Sequence, residues 1–125
     1  MRFPMPHYPC EFEIPDDWLR EAGAIGFTPI TTSYRSRPGS ALVPLTAIEP
    51  VPRLVNRDFR GFERNRLIRL LQGFVSADEI EPVPLSELPL LEFASTPYRF
   101  RVRNGFHRFY ASIAIGYEHL PASIS

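Results

Sequence analysis

Polar and apolar positions alternate over residues 98–103, where Arg99, Arg101 and Arg103 separate Tyr98, Phe100 and Val102. A period of two marks a half-buried strand. Asn104-Gly105 interrupts it with two residues that tolerate positive φ. Beyond that break the period changes. Phe106, Phe109, Tyr110, Ile113 and Ala114 recur at i, i+3, i+4, i+7 and i+8, one apolar face of a helix over 106–115. Gly116 is placed to end that helix, and His107 and Arg108 fall in its first turn, off the stripe. Residues 120–124 read as a short returning strand.

Upstream, Leu67, Leu70, Leu71 and Phe74 form the apolar stripe of a helix over 62–74, with Arg66 and Arg69 elsewhere on its surface and Gly73 near its stop. Residues 41–48 read as a strand interrupted by Pro44, hence short or at a sheet edge. A further short strand is expected over 80–85, and a loop or irregular hairpin over 86–97. Residues 15–23 form a short helix with an Asp cap and a Gly23 stop, with Trp18 and Leu19 as its buried contacts. Residues 27–34 read as an extended segment or a strand. Fourteen prolines punctuate the chain, which favours short extended pieces and turns. The expected architecture is one α/β (α+β) domain, a small mixed sheet with packed helices. Residues 41–125 form its core. Residues 1–40 are an extension packing on it, with Tyr34, Arg35 and Arg37 available as a lid or partner surface.

A chain of 125 residues suits one domain, and an apolar content of 44% suffices for a real core. No stretch approaches a membrane span, and the N-terminus lacks an apolar signal core, so a cytoplasmic protein is expected. A lone cysteine, Cys10, excludes an internal disulfide framework. A formal net charge of zero argues against a generic nucleic-acid coat. All 14 basic residues are arginine. Base composition explains this blandly; selection for bidentate contacts to phosphate or carboxylate is the sharper explanation. The arginines concentrate in 53–69 and 99–108, and two such segments meeting in space would form a positive groove. His7, Cys10, His107 and His119 show no zinc-ligand spacing. No G-x-S-x-G or Walker-type loop occurs.

The residue types at 104–108 point to anion binding. An Asn-Gly turn feeding a helix start offers backbone N–H groups and the positive end of the helix dipole, with a His and an Arg beside them. This run, Asn104-Gly105-Phe106-His107-Arg108, lies between a strand and a helix closed by Gly116. It resembles the G-x-H-R element of the ParB/sulfiredoxin superfamily, and the likeness extends upstream to about Leu42. In that superfamily the element opens a helix and holds nucleotide phosphates: CTP in ParB proteins, ATP in sulfiredoxins and the related free-serine kinases. The resemblance implies a ParB/sulfiredoxin-like fold that binds a nucleotide or a phosphorylated small molecule, with ATP or CTP and Mg²⁺ as the cofactor. Asn104, Gly105, His107 and Arg108 would hold phosphate, and Arg53, Arg57 and Arg60 of the upstream connection would close the site. A small kinase or nucleotide hydrolase is the catalytic form of this expectation. The alternative is a non-catalytic interaction module binding protein or DNA on the same fold.

Phe106 departs from the pattern. Sulfiredoxins carry their catalytic cysteine there, and a phenyl ring cannot act as the nucleophile. Sulfinic-acid reduction is therefore not expected. ParB proteins more often show an acidic residue and two arginines after the glycine, and a long DNA-binding helical region follows their nucleotide domain. Partition function is not expected either. No set of metal-binding carboxylates supports DNA cleavage. Glu49 sits near where the serine kinases carry a catalytic acid.

Overall fold

A computed structural model describes residues 1–6, 11–49, 62–93 and 96–125. In chain order the elements are β1 (Arg2–Pro4), β2 (Glu11–Glu13), α1 (Asp16–Glu21), β3 (Ala41–Pro44), β4 (Ile48–Glu49), α2 (Arg64–Val75), β5 (Val83–Glu87), α3 (Leu90–Phe93), β6 (Phe100–Val102), α4 (Phe106–Ile115) and β7 (His119–Ile124). β1 and β2 form a two-stranded antiparallel ribbon. The other strands form a five-stranded mixed sheet in the order β3-β7-β5-β6-β4. Within it β3–β7 and β5–β6 are antiparallel, whereas β5–β7 and β4–β6 are parallel. Among the described residues no helix is long and apolar enough to cross a membrane.

The apolar periods carry through to packing in part: Leu70, Phe106, Ile113 and Ala114 of the expected stripes are only partly buried, and residues beside them are buried instead. α2 buries Leu67, Ile68, Leu71 and Phe74, and α4 buries Phe109, Tyr110, Ala111 and Ile115. Leu85 of β5 and Leu120 of β7 complete the floor of the same core. The N-terminal region enters that core as well, through Phe12, Ile14, Leu19 and Tyr34. Phe12 stands edge-on to Tyr110 at 5.0 Å between ring centroids.

Several expected boundaries shift for identifiable reasons. The strand expected over 41–48 is two strands. Pro44 ends β3, a 3₁₀ turn at Leu45–Ala47 follows, and β4 resumes at the opposite edge of the sheet. Proline has no N–H to continue a ladder, and its φ of −58° suits the cap of that turn. The strand expected over 80–85 begins at Val83 and runs to Glu87, and the following loop contains α3. Residues 27–34 form no strand. The first residue before α1 is Pro15, which makes no side-chain cap; Asp16 and Asp17 lie inside the first turn. Leu19 is buried and Trp18 only half-buried. Gly73 does not stop α2, which continues to Val75.

Candidate functional site

The N-termini of α2 and α4 meet. Glu63 caps α2, its carboxylate accepting from the Arg66 backbone N–H at 3.0 Å. The Glu63 backbone N–H donates in turn to Nε2 of His107, also at 3.0 Å. His107 is 6% exposed, with the Phe106 ring 4.3 Å and the Phe62 ring 5.7 Å away between centroids. The sequence pattern placed it off the apolar stripe. It is buried because α4 packs against α2 as well as the sheet, so its covered arc is wider than one stripe. An Nε2 that accepts a hydrogen bond carries no proton for an anion, and the neutral ring then holds its proton on Nδ1. His107 braces the two helix starts together.

Gly105 begins α4 with φ of +85°, a left-handed conformation that glycine adopts without strain. Asn104 Oδ1 accepts from the Gly105 N–H at 2.7 Å, and the Gly105 carbonyl accepts from the Arg108 N–H at 3.0 Å. The Arg108 side chain folds back beneath this turn. Its Nη1 donates to the carbonyls of Glu81 at 3.0 Å and Pro82 at 2.8 Å, just before β5. A Cβ on residue 105 would stand 2.8 Å from Nε and 2.9 Å from Cζ of Arg108. Only glycine therefore lets the guanidinium lie under the turn. Arg108 is half-buried and structurally tied, not a solvated helix residue.

These residues line a cleft of about 1000 Å³. Asn104, Gly105, Phe106, His107 and Arg108 form one wall, and Arg66, Arg69, Leu70 and Gly73 of α2 form another. Asp78, Glu79 and Ile80 close its end. At Gly73 a Cβ would approach Ile80 Cδ1 to 3.1 Å, so glycine leaves room for the Ile80 side chain to pack closely on α2. Arg66 and Arg69 are exposed, and among the described residues neither side chain has a hydrogen-bond or ion-pair partner. Sequence reasoning placed both off the stripe and within the 53–69 arginine cluster that could meet 99–108 in a positive groove, without naming either as a site residue; the cleft brings them together with Arg108. Their i, i+3 spacing on the polar face of a helix is the signal that identifies them.

The remaining expected residues lie elsewhere. Arg53, Arg57 and Arg60 fall outside the described residues. Glu49 accepts from Arg101 Nε at 2.7 Å on the β4–β6 edge and does not line the cleft. Arg103 donates to the Ser125 hydroxyl at 2.9 Å. Among the described residues no group of three or more His, Cys, Asp or Glu side chains could hold a metal ion.

No family model and no curated protein sequence matches this chain. The crystal structure of sulfiredoxin from Arabidopsis thaliana matches it with a TM-score of 0.52 at 18% identity, covering 70% of this chain and 85% of that one. An identity this low speaks for the backbone arrangement and not for chemistry. The mixed sheet with its packed helices is thus a sulfiredoxin-like fold.

Proposed function

We propose that the cleft between α2 and the Asn104-Gly105 turn binds the phosphate groups of a nucleotide or another phosphorylated small molecule. One observation carries this reading: the unpartnered guanidinium groups of Arg66 and Arg69 share a cleft with the N-terminus of α4. A helix start favours negative charge, and guanidinium forks match phosphate oxygens in pairs. Arg108 adds a third cation. Nη1 is spent on the two carbonyls, while Nε and Nη2 lie against the turn. A cation held in place loses little freedom when a ligand arrives. His107 contributes by fixing where α4 begins relative to α2. Arg53, Arg57 and Arg60 belong to the proposal through the family resemblance alone.

ATP or CTP fits this donor set through its phosphates. A Mg²⁺ travelling with the nucleotide would take most of its ligands from phosphate oxygen and water, leaving one position for a carboxylate of Asp78 or Glu79. Such an ion would neutralise phosphate charge. Phe106, half-buried in the cleft wall, offers no nucleophile. That favours, as a second reading, a non-catalytic module that uses the same cleft to hold a phosphate borne by a protein or DNA partner.

Titration calorimetry with ATP, CTP and inorganic pyrophosphate, each with and without Mg²⁺, tests the reading. The parent should bind at least one of them. Each charge-assisted contact is worth roughly 1.5–3 kcal/mol. Arg66→Ala with Arg69→Ala removes two such contacts and should therefore weaken binding by about a hundredfold or more, with the exposed positions leaving stability nearly unchanged. Absence of heat with every phosphate ligand at millimolar concentration removes the reading.

A further inference from the structure

We propose that Tyr34 is a positioning residue for the phosphate site, its hydroxyl acting through the Glu81 carbonyl to set where the Arg108 guanidinium lies. The inference rests on the phosphate-binding role of the cleft. It concerns a residue upstream of the stretch that carries the family resemblance.

Tyr34 is 2% exposed, and its hydroxyl donates to the Glu81 carbonyl at 2.7 Å. The same oxygen accepts from Arg108 Nη1 at 3.0 Å. A carbonyl has two lone pairs, and these two donors occupy both. Burial pushes the Tyr34 hydroxyl well above the ordinary tyrosine value, with the Arg108 charge opposing it, so the group stays a donor throughout the working pH range.

The ring is as constrained as the hydroxyl. It stacks on Phe74 of α2 with centroids 5.0 Å apart and planes 13° from parallel. The residues beside it grip the same strip of backbone. Ile80 N–H donates to the Arg35 carbonyl at 2.9 Å, the Ser36 hydroxyl donates to the Ile80 carbonyl at 2.6 Å, and Arg37 pairs with the Glu81 carboxylate. Tyr34, Arg35 and Ser36 thus hold the wall against which Arg108 is braced, while the Arg37–Glu81 pair lies exposed outside it. Only Tyr34 shares an acceptor atom with the guanidinium. Removing the hydroxyl frees one lone pair of that acceptor, and the carbonyl and guanidinium can then re-aim together.

Tyr34→Phe in the full chain keeps the ring and its stacking and deletes the hydroxyl. Two readouts are needed. The Arg108 Nε–H resonance, assigned by its loss in Arg108→Lys, is recorded without ligand. Affinity for inorganic pyrophosphate and for ATP with Mg²⁺ is measured by calorimetry. We expect the Arg108 resonance to shift and exchange faster with solvent, and phosphate affinity to fall roughly three- to tenfold, the cost of ordering one freed side chain. Arg37→Ala, which breaks the exposed ion pair on the same segment, should do neither. An unmoved Arg108 resonance in Tyr34→Phe, an equal shift in Arg37→Ala, or an unchanged affinity in a variant whose parent binds would each overturn the inference. Failure of the parent itself to bind any phosphate ligand condemns the functional reading instead, and is seen without any variant.

Discussion

The brace between His107 and Glu63 makes a quantitative prediction that separates structure from ligand binding. His107→Ala removes an acceptor from the Glu63 N–H in a partly buried setting, 3.0 Å from Nε2. Leaving a donor unsatisfied costs about 1–3 kcal/mol. The same truncation removes a ring, 6% exposed, that contacts both Phe62 and Phe106; such ring contacts are worth about 0.5–1.5 kcal/mol. The total should be roughly 2–4 kcal/mol, a large fraction of a small domain's stability. His107→Gln offers a carboxamide oxygen close to the place of Nε2. It should recover the hydrogen-bond part and sit about midway between Ala and parent. Urea denaturation followed by circular dichroism and by the fluorescence of Trp18, the chain's one tryptophan, measures all three. The reasoning fails if His107→Ala stays within about 0.5 kcal/mol of the parent, the range of a surface change, or if Gln is no better than Ala. A Gln variant of full stability that no longer binds pyrophosphate would instead make His107 a ligand.

Arg108→Ala should destabilise by about 1.5–3 kcal/mol, the worth of hydrogen bonds from a charged group, because its guanidinium is tied to the carbonyls of Glu81 and Pro82; urea midpoints at constant slope check it, and a loss within 0.5 kcal/mol would show the tie to be idle. Gly105→Ala should cost about 1–2 kcal/mol for the left-handed conformation alone. It should also weaken pyrophosphate binding in calorimetry, since a Cβ there meets Arg108. Phe109→Ala, at a side chain with no exposed surface, should cost about 3–5 kcal/mol, seen as a lowered denaturation midpoint; an effect below that of Arg108→Ala would mean the α4 core face is misassigned.

The strand–turn–helix unit around Gly105 was legible without any structure. Its signals are local: a period of two up to residue 103, two residues that accept positive φ, then a helical period closed by Gly116, whose φ is +100°. α2 was legible for the same reason, with its bounds displaced by about two residues at the start. The proposal of a site at the start of α4 rests on residue types alone, because helix starts and Asn-Gly turns present N–H groups whatever surrounds them.

The tertiary structure decided which residues that site brings together. Periodicity says whether a position faces something apolar, not what that something is. His107 looked exposed by phase and is buried because a second helix covers its side of α4. Arg108 looked solvated and is held by carbonyls 26 and 27 residues away in the chain. Arg66 and Arg69 belonged to an arginine cluster in sequence, but which cations share a cleft with the start of α4 depends on how α2 and α4 pack. Pro44 announced an interruption, but the removal of β4 to the far edge of the sheet depends on its pairing with β6. Tyr34 read from the sequence as available for a lid or partner surface and is instead buried, 2% exposed. Its partner is a backbone carbonyl, an atom that every residue has, so sequence could not single out Glu81, and only the folded chain brings the two within 2.7 Å.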